Sequence, residues 1–130
     1  MLVACGLTIL QADGHSPGNV AVTGGKNISF VNCTFQHLGA YATSAAGGSQ
    51  GIAWKGCVFQ DVSAGSHMLG DITNAVLNET DPTHWDRDML VEDCRILNIP
   101  VEYTGATGLF AGYLQSLTVQ HNHFANQTYR

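Results

Sequence analysis

The chain has 130 residues, 45% of them hydrophobic, and no low-complexity stretch, which bounds it to one domain or part of one. Ten acidic residues against five basic ones give a net charge of -5, which argues against nucleic acid and anionic membranes as partners, since both need clustered Lys or Arg. No apolar run reaches the ~20 residues of a membrane-spanning helix, and fifteen glycines leave almost no uninterrupted helix of any kind.

The opening "MLVACGLTILQA" lacks the charged start of a signal peptide. Its Leu7 and Ile9 alternate as in a strand of an early coil, and Val20 and Val22 do the same. From Asn27 onward the chain repeats one pattern, apolar-x-apolar-x-x-(Cys/Asn)-x-apolar-x-x-apolar. Residues 27–43 fill it with Ile28, Phe30, Cys33, Phe35 and Leu38, and residues 51–71 with Ile52, Trp54, Cys57, Phe59 and Val62. Residues 88–113 supply Met89, Val91, Cys94, Ile96 and Ile99, and residues 116–130 supply Leu117, Val119, Asn122 and Phe124, with polar Gln127 in the fifth place. The copies lie 24 (33 to 57), 37 (57 to 94) and 28 (94 to 122) residues apart.

The period-2 pairs inside each copy predict short strands, and the two-residue skip around the Cys column predicts a bend between them. Such a unit cannot bury its apolar face alone and must stack on its neighbour. Successive copies placed about 4.8 Å apart turn the equivalent residues into vertical ladders inside a parallel β-helix. The fold class is therefore all-β, a solenoid of roughly four to five coils. Because the pattern opens in mid-coil and no capping helix flanks it, the expectation is a segment whose remaining coils belong to a longer chain. Cys33, Cys57 and Cys94 share one column, with Cys5 outside it; a buried, reduced ladder is expected there, with a disulfide between stacked neighbours as the other option. Among the Asn-x-Ser/Thr sequons, Asn78 is the persuasive glycan acceptor, if the protein is secreted in a eukaryote.

Chemistry is expected on the departures from the repeat. The long interval contains an insertion near residues 72–87, "ITNAVLNETDPTHWDR", and insertions of this kind build loops on one face of a solenoid. It reads either as a solvated connector or as the wall of a sugar cleft, with Trp85 stacking on a pyranose ring, Arg87 holding a carboxylate or hydroxyl, and His84 beside them. Four residues after the Cys column stand His37, Asp61, Asn98 and Asn126, which read as a hydrogen-bonded turn ladder or as the floor of a groove where Asp61 could be catalytic. "HMLGD" and "GLFAGY" read as equivalent strands, with Gly70 over Gly112 and Asp71 over Tyr113. Glu102 and Tyr103 precede the second of these, and His67 opens the first. Asp71 and Glu102 on neighbouring coils would be the two carboxylates that glycosidic cleavage requires; the bland reading makes Asp71 a turn cap and Glu102 a solvated acid. His121 and His123 flank Asn122 but face outward, so no metal site is expected. Calcium on clustered oxygens is a secondary option without an ordered acidic loop to carry it.

The strings "ISFVNCTFQHLGAYA", "IAWKGCVFQDVSAGSHMLGD" and "EYTGATGLFAGYLQSLTVQHNHF" resemble the right-handed parallel β-helix repeat proteins of the pectate-lyase-like superfamily, over about Asn19 to Asn126. The closest likeness is to its carbohydrate-active and uncharacterised extracellular group. The resemblance implies a right-handed coil, a secreted protein, a carbohydrate partner and no organic cofactor. The function expected is hydrolysis of a glycosidic bond in a polysaccharide or oligosaccharide. Glu102 is then the general acid and Asp71 or Asp61 the base or nucleophile, with His67, His84, Trp85, Arg87, Tyr103 and Tyr113 as sugar contacts. A polysaccharide lyase is the rival on the same substrate, but it wants cations beside a uronate, and five Lys and Arg supply few. The rival from another class is a non-catalytic glycan-binding or structural module.

Overall fold

The bends anticipated from the skipped residues are made by single residues in the left-handed backbone region. A computed structural model describes residues 3–4, 18–72 and 77–127 of the chain. In it three columns of corner residues all have φ between 51° and 67°: Asn27, Gly51, Asp88 and Ser116; Asn32, Gly56, Asp93 and His121; His37, Asp61, Asn98 and Asn126. Asn, Asp and Gly are the residues that enter this region at least cost, so the corner chemistry is written into the sequence at each column.

Short strands, three to a coil, run between these positions, and at His37, Asp61, Asp88 and Ser116 the left-handed residue falls just inside a strand end. The first full coil holds β2 (Val20–Thr23), β3 (Ser29–Val31) and β4 (Thr34–Leu38), and the second β5 (Thr43–Ala46), β6 (Ala53–Lys55) and β7 (Val58–Val62). The third holds β8 (His67–Leu69), β9 (Arg87–Glu92) and β10 (Arg95–Leu97), and the fourth β11 (Leu109–Ala111), β12 (Gln115–Gln120) and β13 (His123–Ala125). Each strand pairs in parallel with its counterpart one coil away, giving three sheets: β2-β5-β8-β11, β3-β6-β9-β12 and β4-β7-β10-β13, the last edged by β1 (Val3–Ala4). The chain is a parallel β-helix.

The register is the one the repeat dictates. Phe35 pairs with Phe59, Phe59 with Ile96 and Ile96 with Phe124. Phe30, Trp54, Val91 and Val119 form the equivalent ladder on the neighbouring sheet. Stacking one coil on the next lays the Phe35 and Phe59 rings face to face, 4.8 Å apart and 3° from parallel, and Phe30 on Trp54 at 5.7 Å. Phe35, Ile52, Trp54, Phe59, Val91 and Ile96 are wholly buried, whereas Val119 and Phe124 in the fourth coil are 43% and 41% exposed.

Cys33, Cys57 and Cys94 are buried and reduced. Their thiols donate to strand carbonyls, Cys57 Sγ to Phe30 O at 3.4 Å and Cys94 Sγ to Glu92 O at 3.3 Å. Asn122 takes the same place in the fourth coil by bonding the backbone instead: its Oδ1 accepts from Cys94 N and its Nδ2 donates to Val91 O, both at 2.8 Å. The strand piece expected around Leu7 and Ile9, the position of Cys5, and residues 73–76 of the insertion lie outside the described residues.

Candidate functional site

The corner between the β2-β5-β8-β11 sheet and the β3-β6-β9-β12 sheet carries the insertion, and there the structure gathers side chains of reactive type. Beneath it, in the second coil, Gly47 and Gly48 adopt φ 69° and 85°. A β-carbon on Gly48 would lie 3.2 Å from the His84 carbonyl oxygen, so only glycine lets the insertion sit this close. The glycine pair turns its backbone amides outward, and Asp86 occupies the resulting concavity. Asp86 Oδ1 accepts from Gly48 N at 3.0 Å and Ser49 N at 2.8 Å, and the residue is 2% exposed. Burial pushes the Asp86 carboxyl above the ordinary aspartate value against the pull of those amides, and the charge of nearby Asp71 pushes it the same way.

The rest of the insertion is tied down by side chains. Asp81 Oδ1 accepts from Thr83 N at 2.9 Å and caps a short 3-10 turn, Pro82–His84. Gln50, from the second coil, donates through Nε2 to the carbonyls of Pro82, Thr83 and Trp85. Trp85 Nε1 donates to Glu79 O at 2.9 Å, which fixes the indole plane. Glu79 accepts from Asp81 N at 2.9 Å and faces His84 Nδ1 at 3.2 Å, and these donors hold its carboxyl below the ordinary range.

Beside this loop the fourth coil brings up Tyr113. The two glycine-containing strings do pair in parallel, through His67–Leu69 and Leu109–Ala111, but Asp71 and Tyr113 just beyond them meet in an isolated antiparallel bridge, Tyr113 N donating to Asp71 O at 2.7 Å. The result is a cleft of about 270 Å³ lined by Leu77, Glu79, Trp85, Asp86, Tyr113 and Leu114. Asp71 stands at its side, within electrostatic reach of Asp86.

Of the residues singled out from sequence, Asp71, Trp85 and Tyr113 come together here, with His84 at the rim. Arg87 turns away from the cleft, toward Gln50 Oε1 at 3.4 Å and Asp88 Oδ2 at 3.8 Å. Glu102 and Tyr103 lie elsewhere: both backbone amides donate to Ser63 O, in the corner that precedes β8, while Asp71 lies in the corner that follows it. The width of a sheet, roughly 10 Å of extended chain, separates the two acids. Asp61 belongs to an exposed corner ladder, its Oδ1 accepting from Asn98 Nδ2 at 3.1 Å while Asn98 Oδ1 accepts from Asn126 Nδ2 at 2.9 Å. The hydrogen-bonded turn ladder is thus the arrangement that column adopts.

His67 is in the coil interior, where no substrate can reach it. It is fully buried, edge-on to Trp54 at 4.9 Å and tilted against Phe59 at 4.4 Å. Ser66 Oγ gives its single proton to Gly108 O at 2.5 Å, so it must accept from His67 Nδ1–H at 2.7 Å. The other ring nitrogen, Nε2, then carries a lone pair with no partner. Desolvation lowers this imidazole to a pKa of about 3, leaving it neutral.

Sequence reasoning missed Asp86 as a site residue, because its burial depends on a glycine pair 38 positions earlier. The signal that could have found it is the Gly47-Gly48 dipeptide itself, which leaves backbone donors open for an anionic side chain. Among the described residues, no three His, Cys, Asp or Glu side chains converge as a metal site, and no helix is long and apolar enough to cross a membrane. The chain matches no family model, no curated protein and no solved structure.

Proposed function

We propose that this chain belongs to a secreted, carbohydrate-active β-helix protein of the pectate-lyase-like kind, and that the cleft between Trp85 and Tyr113 hydrolyses a glycosidic bond. The observation that carries the reading is one buried carboxyl, Asp86, in a cleft lined by Trp85 and Tyr113, with Asp71 outside that lining but near enough for its charge to act on Asp86. Trp85 and Tyr113 offer flat apolar faces on which sugar rings stack. Two neighbouring carboxyls in unlike environments divide the labour of acid and base. Asp86, buried and raised, is the acid: it donates its proton to the leaving glycosidic oxygen as the bond to the anomeric carbon breaks. Asp71, less enclosed, attacks that carbon or deprotonates the incoming water, and water finally supplies the hydroxyl to the sugar and returns the proton to Asp86.

The test is reducing-end release from a panel of oligosaccharides. Asp86→Asn and Asp71→Asn are each expected to lower kcat about 100-fold or more, and Trp85→Ala to raise KM with a smaller change in kcat. Turnover should fall as pH rises through the raised pKa of Asp86, because the proton donor is lost. Unchanged hydrolysis in both carboxyl variants, with the fold intact by circular dichroism, would sink the site.

A second reading, a glycan-binding module without catalysis, is favoured by one contact: Asp86 Oδ1 is already engaged by Gly48 N and Ser49 N. It expects sugar binding that depends on Trp85, no turnover by the unaltered chain, and an Asp86→Asn change felt mainly in stability.

A further inference from the structure

The fourth coil ends the described stack with its interior open. Val119 and Phe124 continue ladders whose members in the second and third coils are wholly buried, yet both are exposed. With Pro100, Gly108 and Leu109 they line an apolar hollow of about 340 Å³. The polar side chains of this coil's interior are engaged by the third coil instead, Asn122 with Cys94 N and Val91 O and Gln127 with Ile96 O. Among the described residues, β11, β12 and β13 each pair on one side alone, so backbone donors and acceptors stand open along all three.

Free edges of this kind are ordinarily protected by charge, by proline or by a covering segment. The second coil has Lys55 and Asp61 on its ladder strands, and the third has Arg87, Asp88, Glu92 and Arg95. Residues 103–127, by contrast, contain no Asp, Glu, Lys or Arg. The opposite end of the stack is not the complement of this one. There β1 already holds the place beside β4 that β13 of a copy stacked head to tail would need.

The fourth coil does match itself. Its free edges run three, six and three residues in β11, β12 and β13. A two-fold axis through Thr118, perpendicular to the stack, reverses every strand and keeps interior faces inside. It sets β12 antiparallel to its own copy and β11 against β13, a strand of equal length, so the open backbone groups find partners. Leu117 of each copy then lies over Val119 of the other, and the two apolar hollows close on one another. We propose that the chain forms a two-fold dimer through its fourth coil, extending by one more layer the coil-on-coil packing that already builds the core.

The experiment is sedimentation velocity on the full chain from about 5 to 200 μM, with circular dichroism as the check on folding. The expected species is a dimer of twice the 13.8 kDa chain, passing to monomer on dilution. Thr118→Lys alters an exposed side chain and sets like charges opposite each other across the axis. It should weaken the dimer about fivefold or more, and salt at about 0.5 M should restore part of the loss. Val119→Lys, which would enclose two ammonium groups, should leave folded monomer alone. Val31→Lys, on β3 at the opposite end, should change nothing. Monomer at every concentration, or a dimer indifferent to either Thr118→Lys or Val119→Lys, would overturn the proposal. So would species larger than the dimer that Val31→Lys disperses, since those would be head-to-tail stacks.

Discussion

At the scale of single residues, His67 sets how the protein responds to acid. Its imidazole is neutral and enclosed between Trp54 and Phe59, with a pKa of about 3 against an ordinary value near 6.5. Below about pH 6.5 the unfolded chain takes up a proton that the folded chain refuses. The stability from this group is therefore complete at neutral pH and is lost progressively down to about pH 3, by roughly 1.4 kcal/mol per pH unit across the window. Urea midpoints measured from pH 7.5 to pH 4 should fall steeply, and His67→Leu should flatten that fall. An identical pH slope in the variant would mean that other groups govern acid unfolding. Asp86 acts in the opposite sense: its raised carboxyl opposes folding at neutral pH, and that cost eases as pH falls through its folded pKa. His67 also shows where residue-level reading of a sequence fails. A polar residue in a short strand looks like a surface group, and only the pairing of His67 with Thr43 on one side and Leu109 on the other makes it an interior residue.

At the scale of the strand and its corner, stability is concentrated in ladders. Phe59 is sandwiched between Phe35 and Ile96 and wholly buried, so Phe59→Ala should cost about 3–5 kcal/mol. Phe124 ends the same ladder at 41% exposure, and Phe124→Ala should cost about 1 kcal/mol, since less surface is removed from water. Equal losses by chemical denaturation would show that the fourth coil is more enclosed than this. The corner columns should be as selective as the ladders. Asn98 has φ 53° and bonds both Asp61 and Asn126, so Asn98→Val should cost about 2 kcal/mol, from backbone strain plus two lost side-chain bonds. Asn98→Gly, which keeps the backbone at ease, should recover part of it, and equal denaturation midpoints for the two variants would show that φ is not what this corner selects. These elements are the most legible in the chain. The columns through Cys33 and Phe35 follow from the order of residues alone, because a period of stacked coils forces the same residue types to recur. The corner residues are visible there as interruptions of alternation, though their left-handed geometry is not.

At the scale of the whole molecule, the same regularity explains what the order of residues conceals. A sequence repeat fixes which residues share a ladder but not how far a departure from the repeat carries a side chain round the coil. The corner before the next β2-type strand has four residues in the first two coils, 39–42 and 63–66, and eleven in the third, 98–108. That second enlargement places Glu102 on a different edge from Asp71, so the expected pair is not assembled by the winding. Asp86 is recruited instead, by a loop folded down on the coil beneath it. Candidate carboxyls in such a fold are best sought by asking which corner they occupy, not which coil.

The parallel pairing of strands from successive coils has a mechanical corollary. Each strand is held by strands contributed from the turn before and the turn after, and from nowhere else. Tension applied along the stack axis has no route to the middle except through the outermost turn, so the molecule should peel like thread from a spool. The steps would be of unequal length, with the longest released by the turn that contains the inserted loop.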